Sequence, residues 1–397
     1  MKKQIRSTFV DLTAIDAPSK NERAISTYVT GRLERFGLEV SKDKKGNVLG
    51  YLAGEGEPIL LNAHLDRVLP GKGHTPVIDG DVVKSDGTSN LGSDDTAGLT
   101  IILEALSKVK TEKITHPPLV VAFTVEEEIG LWGAKALDLT RYQVQRGIVY
   151  DNVFEAGTVV SRGAAYVAVD LEIKGKAIHP GKDLSIGINV IEIFRKAKFP
   201  IGETDNGQTR INMGTLNSGA ARNAVPDKLT AQSEIRSFLD EPALTQTVHQ
   251  FQRSFTQAAE NAGGTVTFTT KKLAVAYSVD PEEPLLKAYR KVVEKRGGKF
   301  EMKKTFIASD ANALRGERGL QVFTVSTGVF NEHSTEETVR LSDMELVAND
   351  LVNLLELLGS EMTLNGFAEP STKSRARKND VSTIKSTIYP TNLYSSL

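Results

Sequence analysis

The run LLNAHLDRV at 60–68, followed by GSDDTAG at 92–98, decides how this chain is read. The first piece is apolar as far as His64-x-Asp66, the pattern of a buried strand that delivers two polar side chains at its carboxyl end. Residues two apart on a strand share a face, so His64 and Asp66 project together. Polar groups at the end of an apolar strand are costly to desolvate without compensation. A metal ion bound by the histidine and steered by the aspartate supplies that compensation. The second piece sets Asp94 and Asp95 at the mouth of a helix beginning AGLTIILEAL. An aspartate there also reads as an N-cap. His64-x-Asp66 upstream and an acidic cluster downstream favour the chemical reading.

Working outward, Leu119–Val125 is an apolar strand that runs into Glu126-Glu127-Glu128, and Gly147–Tyr150 is a short strand ending at Asp151. Residues 47–52 and 58–63 read as strands, 76–84 as a hairpin turning at Asp79-Gly80, and about 95–109 as a helix burying Ala97, Ile101, Ile102, Ala105 and Val109. Ser19 and Glu22 form an S-x-x-E capping box ahead of a helix with Ala24, Ile25, Tyr28, Val29, Leu33 and Phe36 on one stripe, ended by Gly37. Strands alternating with helices, with acids just past strand ends, describe an open α/β sheet whose site lies at its carboxyl edge.

The texture changes near 163. An alternating strand at 165–175, a helix near 187–198, strands at 209–216 and 229–239, a helix over 243–262 and a strand at 265–275 suggest a small α+β domain. After Pro281 the α/β texture returns with helices at 284–296 and 341–358, a short helix after Asp310 and the strand Gln321–Ser326. The expected organisation is a discontinuous first domain, 1–162 with 279–362, interrupted by an inserted domain at 163–278. Residues 363–397 are polar, locally basic and without periodicity, and are predicted to form a disordered tail.

Composition narrows the function. The 397 residues carry a net charge of −1, with 40% hydrophobic and 25% charged residues, so no basic field favours nucleic acid or anionic lipid. No apolar stretch is long enough to cross a membrane and the N-terminus lacks an apolar leader core, so a cytoplasmic protein is expected. There is no cysteine, which leaves histidines and carboxylates as the strong metal ligands. Five candidates stand at strand ends or loop starts: His64, Asp94, Glu128, Asp151 and His333, the last in GVFNEHSTEE after an apolar strand. Two histidines and three carboxylates fit two metal ions sharing one bridging carboxylate, with Zn favoured and Co or Mn alternatives. Two such ions about 3.5–4 Å apart activate a water and polarise a carbonyl. The site also needs a base that is not a ligand, and the Glu126–Glu128 run contains one.

HLD, GSDDTAG, TVEEEIG, VYD and FNEH resemble, in order and spacing, the co-catalytic zinc metallopeptidase family of peptidase T, glutamate carboxypeptidase and the amino-acid deacylases. The match covers roughly 1–360. SDGTSNLGSDDTAGL (85–99) and HPG (179–181) bring it nearest to the peptidase T-like tripeptidases. The resemblance implies an open mixed-sheet, phosphorylase/hydrolase-like catalytic domain with an inserted ferredoxin-like lid that also serves as a dimerisation surface. It implies His64 and Asp151 on one ion, Glu128 and His333 on the other, and Asp94 bridging. Asp66 would orient His64, and Glu127 would be the general base. His179 would steady the oxyanion from the lid, Asn223 and Arg236 would bind substrate, and Asp310 belongs to a segment resembling the specificity loop. Thr96 departs from the pattern, since relatives usually carry a lysine there, and the tail after 362 has no expected counterpart.

The function so implied is metal-dependent removal of the N-terminal residue of short peptides. A carboxypeptidase or N-acyl-amino-acid deacylase would use the same metals, with Arg236 or Arg222 gripping a substrate carboxylate. A metal- or peptide-binding protein without catalysis is the third reading, against which the full ligand set and Glu127 argue.

Overall fold

The runs at 59–64 and 119–124 place apolar residues on both faces, and a strand of that kind is stable only inside a sheet covered on both sides. In a computed structural model of the chain, residues 1–365 are described, with side chains as far as Ser360. Every residue of Ile59–His64 and Leu119–Thr124 is buried there. Four strands form the parallel centre of a nine-stranded sheet, in the spatial order Leu119–Thr124, Ile59–His64, Arg146–Val149, Gln321–Val325. Val48–Leu52 and then Glu39–Lys42 extend it antiparallel on one side, and Val159–Gly163 with Tyr277–Ser278 on the other. Met302–Thr305 adds to Val159–Gly163 in parallel. Helices Lys2–Thr13, Ser93–Glu112 and Leu341–Asn365 pack on one another, and Pro284–Lys295 packs on the last of them. All four parallel strands therefore end on one edge, and the connections leaving that edge carry the acids and imidazoles singled out in the sequence.

A smaller sheet sits beside that edge in the order Val329–Phe330, Thr338–Arg340, Val82–Ser85, Pro76–Asp79. The expected hairpin at 76–84 lies within it, turning at Gly80 with φ +61°. Its other hairpin, 329–340, carries His333 in its connection.

The segment after Gly163 builds a separate antiparallel sheet, in the order Gly202–Thr204, Thr209–Ser218, Lys228–Ser237, Ala165–Lys174, Thr265–Ala274. Helices Val190–Lys196 and Glu241–Asn261 cover it. Leaving aside the short edge strand, this is βαββαβ with the second and third strands paired and the first between the third and fourth, the ferredoxin-like order. Its apolar cluster is distinct from the main core and is dominated by Phe251 and Phe255, with Phe194, Phe199 and Phe268 against them. Bonds cross to the main sheet's loops, among them Arg236 Nη1 to the Phe306 carbonyl at 2.9 Å and Lys135 Nζ to the Leu273 carbonyl.

Several local expectations are corrected. Ser19 and Glu22 do not form a capping box: helix Arg23–Phe36 has no side-chain cap, because the Ser19 hydroxyl donates to Asp66 Oδ2 at 2.7 Å. Glu22 Oε1 instead accepts the Lys20 and Glu126 N–H groups. Ala24 is exposed, while Ile25, Val29 and Leu33 are buried and Gly37 ends the helix in the left-handed region, φ +93°. The last helix runs to Asn365, past the residue at which the tail was expected to begin, and the rest of that expectation, 366–397, lies outside the described residues. No helix among the described residues is long and apolar enough to cross a membrane.

The inserted sheet's aromatic cluster predicts a measurable cost. Phe255 is fully buried among four other phenylalanines. Phe255→Ala should lower unfolding free energy by about 3–5 kcal/mol in chemical denaturation. A loss below about 1 kcal/mol would show that the cluster collapses onto the gap.

Candidate metal centre

At the carboxyl edge the chain must hold several ionisable groups where little water reaches, and the local bonding decides which way each points. His64 is the last residue of its strand, and its side chain is 1% exposed. Its N–H donates to Asp95 Oδ2 at 3.2 Å, and its ring Nδ1 is 2.8 Å from the Asp66 carbonyl oxygen. A carbonyl can only accept, so Nδ1 carries the proton and Nε2 is the atom left to face the site. Nε2 is 3.1 Å from Asp94 Oδ1, and Asp94 Oδ2 is 3.1 Å from His333 Nε2. One carboxylate thus lies between two imidazoles. Glu128 Oε1 is 3.2 Å from the same His333 nitrogen, without the alignment of a hydrogen bond. One ligand atom each from His64, Asp94 and Glu128 fall within 4.8 Å of one another.

The two aspartates of GSDDTAG divide the readings offered for them. Asp95 acts as a cap: Oδ1 accepts the Gly98 N–H at 2.9 Å, while Oδ2 takes the His64 N–H. Asp94 faces the histidines. Both residues depart from helical dihedrals, and the peptide between them is cis. Gly98 is needed for a close approach, since a Cβ there would stand 2.2 Å from the Tyr150 carbonyl and 2.4 Å from Asp95 Oδ1.

Asp66 supports the site differently from the expectation. Its carbonyl, rather than its carboxylate, holds the His64 ring, the nearer carboxylate oxygen lying 3.6 Å from Nδ1. The carboxylate gathers the Ser19 hydroxyl and the N–H groups of Glu127 at 2.9 Å and Glu128 at 3.3 Å. It therefore fixes the turn from which both glutamates project. Asp151 follows Tyr150, whose N–H donates to the Asn62 carbonyl at 2.8 Å in the neighbouring strand. Asp310 is buried beneath the edge, where Oδ2 accepts from the Asn62 amide at 3.3 Å and from the Thr124 hydroxyl.

Burial and mutual repulsion set the electrostatics. Desolvation pushes Glu127 and Asp151 well above the usual carboxylate range, and the charges of neighbouring acids add to it. Glu128 and Asp310 are raised by the same burial. Burial also raises Asp94, but the bonds from His333 and His64 outweigh it and hold that carboxyl well below its usual range. Burial opposes charge on His64, yet Asp66 and Asp94 carry its pKa well above normal, and Asp94 and then Glu128 push His333 up to about 11. Acids that raise one another around two imidazoles make an arrangement suited to added positive charge. The donors are hard oxygens and borderline nitrogens, and Glu128 Oε1 is buried with no hydrogen bond from the described residues, so the set fits divalent cations.

Among the described residues, the Asp151 and Asp310 side chains make no hydrogen bond to this cluster and act on it through their fields, and His179, Asn223 and Arg236 make none either. His179 is exposed, its Nδ1 accepting the Gly181 N–H at 3.0 Å, and Asn223 is exposed. The Arg236 guanidinium lies over the Tyr166 ring and bonds Phe306 and Glu234. Sequence reading missed Ser19, Asp95 as a support for His64, and above all Glu337, which is wholly buried and accepts the N–H groups of residues 91–94. Glu337 is in phase with buried Val339 and Leu341, an alternation that marks an acid pointing inward.

A parallel-sheet edge presenting two histidines around a half-buried aspartate, with further acids behind, is the kind of edge a metal-dependent hydrolase carries. The model of peptidase family M20/M25/M40 matches residues 60–357, and the chain belongs to that family. The uncharacterized protein YqjE of Bacillus subtilis (strain 168) is 29% identical over 367 residues, covering 89% of this chain and 98% of that protein. The crystal structure of aminopeptidase PepT from Bacillus cereus ATCC 10987 superposes with a TM-score of 0.83 at 28% identity, covering 90% of this chain and 99% of that one. A tripeptidase from Staphylococcus aureus subsp. aureus Mu50 shares the fold, with a TM-score of 0.86 at 24% identity over 91% and 99% of the two chains. The chemistry is metal-dependent hydrolysis of peptide bonds.

Asp66 gives a direct test of the supporting shell. Asp66→Ala leaves the Glu127 and Glu128 N–H groups and the Ser19 hydroxyl without their acceptor. The expected result is a stability loss of about 1–3 kcal/mol per unsatisfied buried donor, seen in denaturant unfolding, together with lost peptidase activity. Unchanged stability would show that water replaces the carboxylate there.

Proposed function

We propose that this chain is an aminopeptidase of short peptides that works with two divalent ions, zinc in the first instance and cobalt or manganese as alternatives. The observation that carries the reading is the placement of Asp94 between His64 and His333, with Glu128 beside the second ring. In the proposed assignment His64 and Asp151 hold one ion, Glu128 and His333 the other, and Asp94 both. Ions bound there would lower the pKa of a water and polarise the scissile carbonyl.

Glu127 is the proposed base. Its N–H is tied to Asp66, and burial keeps its carboxyl basic enough to take a proton from the attacking water and return it to the leaving amine. The inserted segment, 163–278, is the proposed lid, its His179 steadying the oxyanion and its Asn223 and Arg236 meeting the substrate once it closes. A lid closing on a small enclosed site favours short peptides over folded chains. Five of the exposed large hydrophobics, Leu184, Ile186, Ile191, Ile201 and Leu216, belong to this segment, which supports its second proposed role as a dimer contact. Light scattering should then give twice the chain mass, and a monomer at all concentrations would remove that role.

Glu127→Gln is expected to bind the same complement of metal while kcat falls by about 10²–10⁴-fold. Full turnover in that variant would reject the assigned base. With the wild-type enzyme, N-acetylation of a di- or tripeptide should abolish cleavage, whereas amidation of its C-terminus should not. The opposite pattern would transfer the chain to the carboxypeptidase or deacylase reading.

A further inference from the structure

We propose that Glu337 is a positioning residue for the metal centre, holding the turn that carries Asp94 and the hairpin that carries His333 in one fixed relation. This rests on the metal-site reading above and adds a residue that the ligand set does not contain.

Glu337 lies four positions after His333, where the hairpin returns to strand Thr338–Arg340, and it is 0% exposed. Its Oε1 accepts the Ser93 N–H at 2.8 Å, the Ser93 hydroxyl at 2.5 Å and the Asp94 N–H at 3.1 Å. Its Oε2 accepts the N–H groups of Leu91 at 2.9 Å and Gly92 at 3.0 Å. The Glu337 carbonyl in turn accepts the Ser85 N–H at 3.2 Å, fixing the backbone of the hairpin to the strand before this turn. Four consecutive amides converge on one carboxylate because Gly92 adopts φ +70°, a conformation that turns successive N–H groups inward. A side chain at that position would also meet Arg67 Cδ at 2.8 Å.

Bonds to an ionised acceptor are roughly twice as strong as neutral ones, and the amides ahead of helix Ser93–Glu112 have no carbonyl of their own to bond. The consequence reaches the site through Asp94. With its N–H held from behind, that residue presents one carboxylate oxygen to each histidine. His333 is 44% exposed and belongs to a connection with no regular structure, so its place opposite Asp94 depends on where the hairpin is anchored. Glu337 is that anchor. Of the two proposed ions, the one held by His333 and Glu128 should be the more sensitive to its loss.

The test is Glu337→Gln in the full chain, with Ser93→Ala as a milder variant that removes only the hydroxyl donor to Oε1. A glutamine amide would point N–H donors at backbone N–H donors. Each chain, stripped of metal, is titrated with Co²⁺ and then Zn²⁺ by calorimetry and by the visible absorption of bound cobalt, and is melted with and without metal. The expected result for Glu337→Gln is a weaker-binding ion loosened by about 10–100-fold or lost. Its cobalt spectrum should be altered, and the gain in Tm on loading should be smaller than in the wild type. Ser93→Ala should shift the same readouts in the same direction by less.

Equal lowering of metal-free and metal-loaded Tm in Glu337→Gln, with unchanged metal affinities and spectrum, would overturn the proposal and leave Glu337 a fold-stabilising acid. If Glu337→Gln does not fold, Ser93→Ala decides, and wild-type affinities in it overturn the proposal. A wild-type chain that takes up no divalent ion would instead overturn the metal-site reading, and this inference with it.

Discussion

Packing like charges into a dry edge is the constraint around which this molecule is arranged. Asp94, Asp95, Glu127, Glu128, Asp151 and Asp310 lie within reach of one another's fields, and burial alone raises the pKa of each of them. A charge taken out of water must be met by partners or by neutralisation. Two imidazoles meet it on one side of Asp94 and the other, and backbone amides meet it elsewhere. The apolar parallel strands supply rigid ends on which these groups can be held at fixed distances. A hydrolytic site that must bring a water, a carbonyl and a base together within about an ångström of their working geometry needs that rigidity.

The supporting shell divides into two clamps of the same kind. Asp66 collects the N–H groups of Glu127 and Glu128, and Glu337 collects those of residues 91–94. In each case a buried acid grips backbone amides of a turn that carries a carboxylate of the candidate centre, Glu128 in the first and Asp94 in the second. Gripping the backbone leaves the ligand's own oxygens free. It also links distant segments, since Asp66 joins the strand at 59–64 to the loop after 124, and Glu337 joins 85–94 to the hairpin at 329–340. Convergence of the site is thus a property of amide hydrogen bonding as much as of side-chain placement.

What was legible in the sequence is what period and composition can carry. The buried strands show as largely apolar runs, the second sheet as alternation at 165–174, and His64, Asp94, Glu128 and His333, which the fold draws together, as acids and imidazoles at strand ends or loop starts. Less visible was anything decided by competition between partners. Ser19 with Glu22 has the spacing of a capping box, but the hydroxyl finds a stronger acceptor in a carboxylate 47 positions away. Helix Lys2–Thr13 and the short, charged edge strands Glu39–Lys42 and Met302–Thr305 have no counterpart among the elements expected from the sequence. The strands carry too few apolar residues to show a period, and each is fixed by pairing that only the folded sheet provides. Glu337 hid in a run of polar residues, where only its phase with Val339 and Leu341 betrays it.

Thr96 shows how a departure in the motif is absorbed by the fold. The resemblance leads one to expect a lysine after the aspartate pair, and its replacement by threonine removes a positive charge beside buried acids. Arg67, the residue after Asp66, donates from Nη2 to the Thr96 hydroxyl at 2.8 Å and so brings a cation to the same helix start from the strand side. Burial lowers its pKa to about 10, with the fields of Glu337 and then Asp16 working the other way, so it stays charged at neutral pH. Nη1 also donates to the carbonyls of Thr13 and Ile15, and Nη2 to that of Leu12, where the N-terminal helix ends and its carbonyls need partners. The guanidinium therefore does two things, only the first of which a lysine at 96 would supply from its own position. It holds positive charge next to the acidic edge, and it binds the end of helix Lys2–Thr13 to the strand that delivers His64.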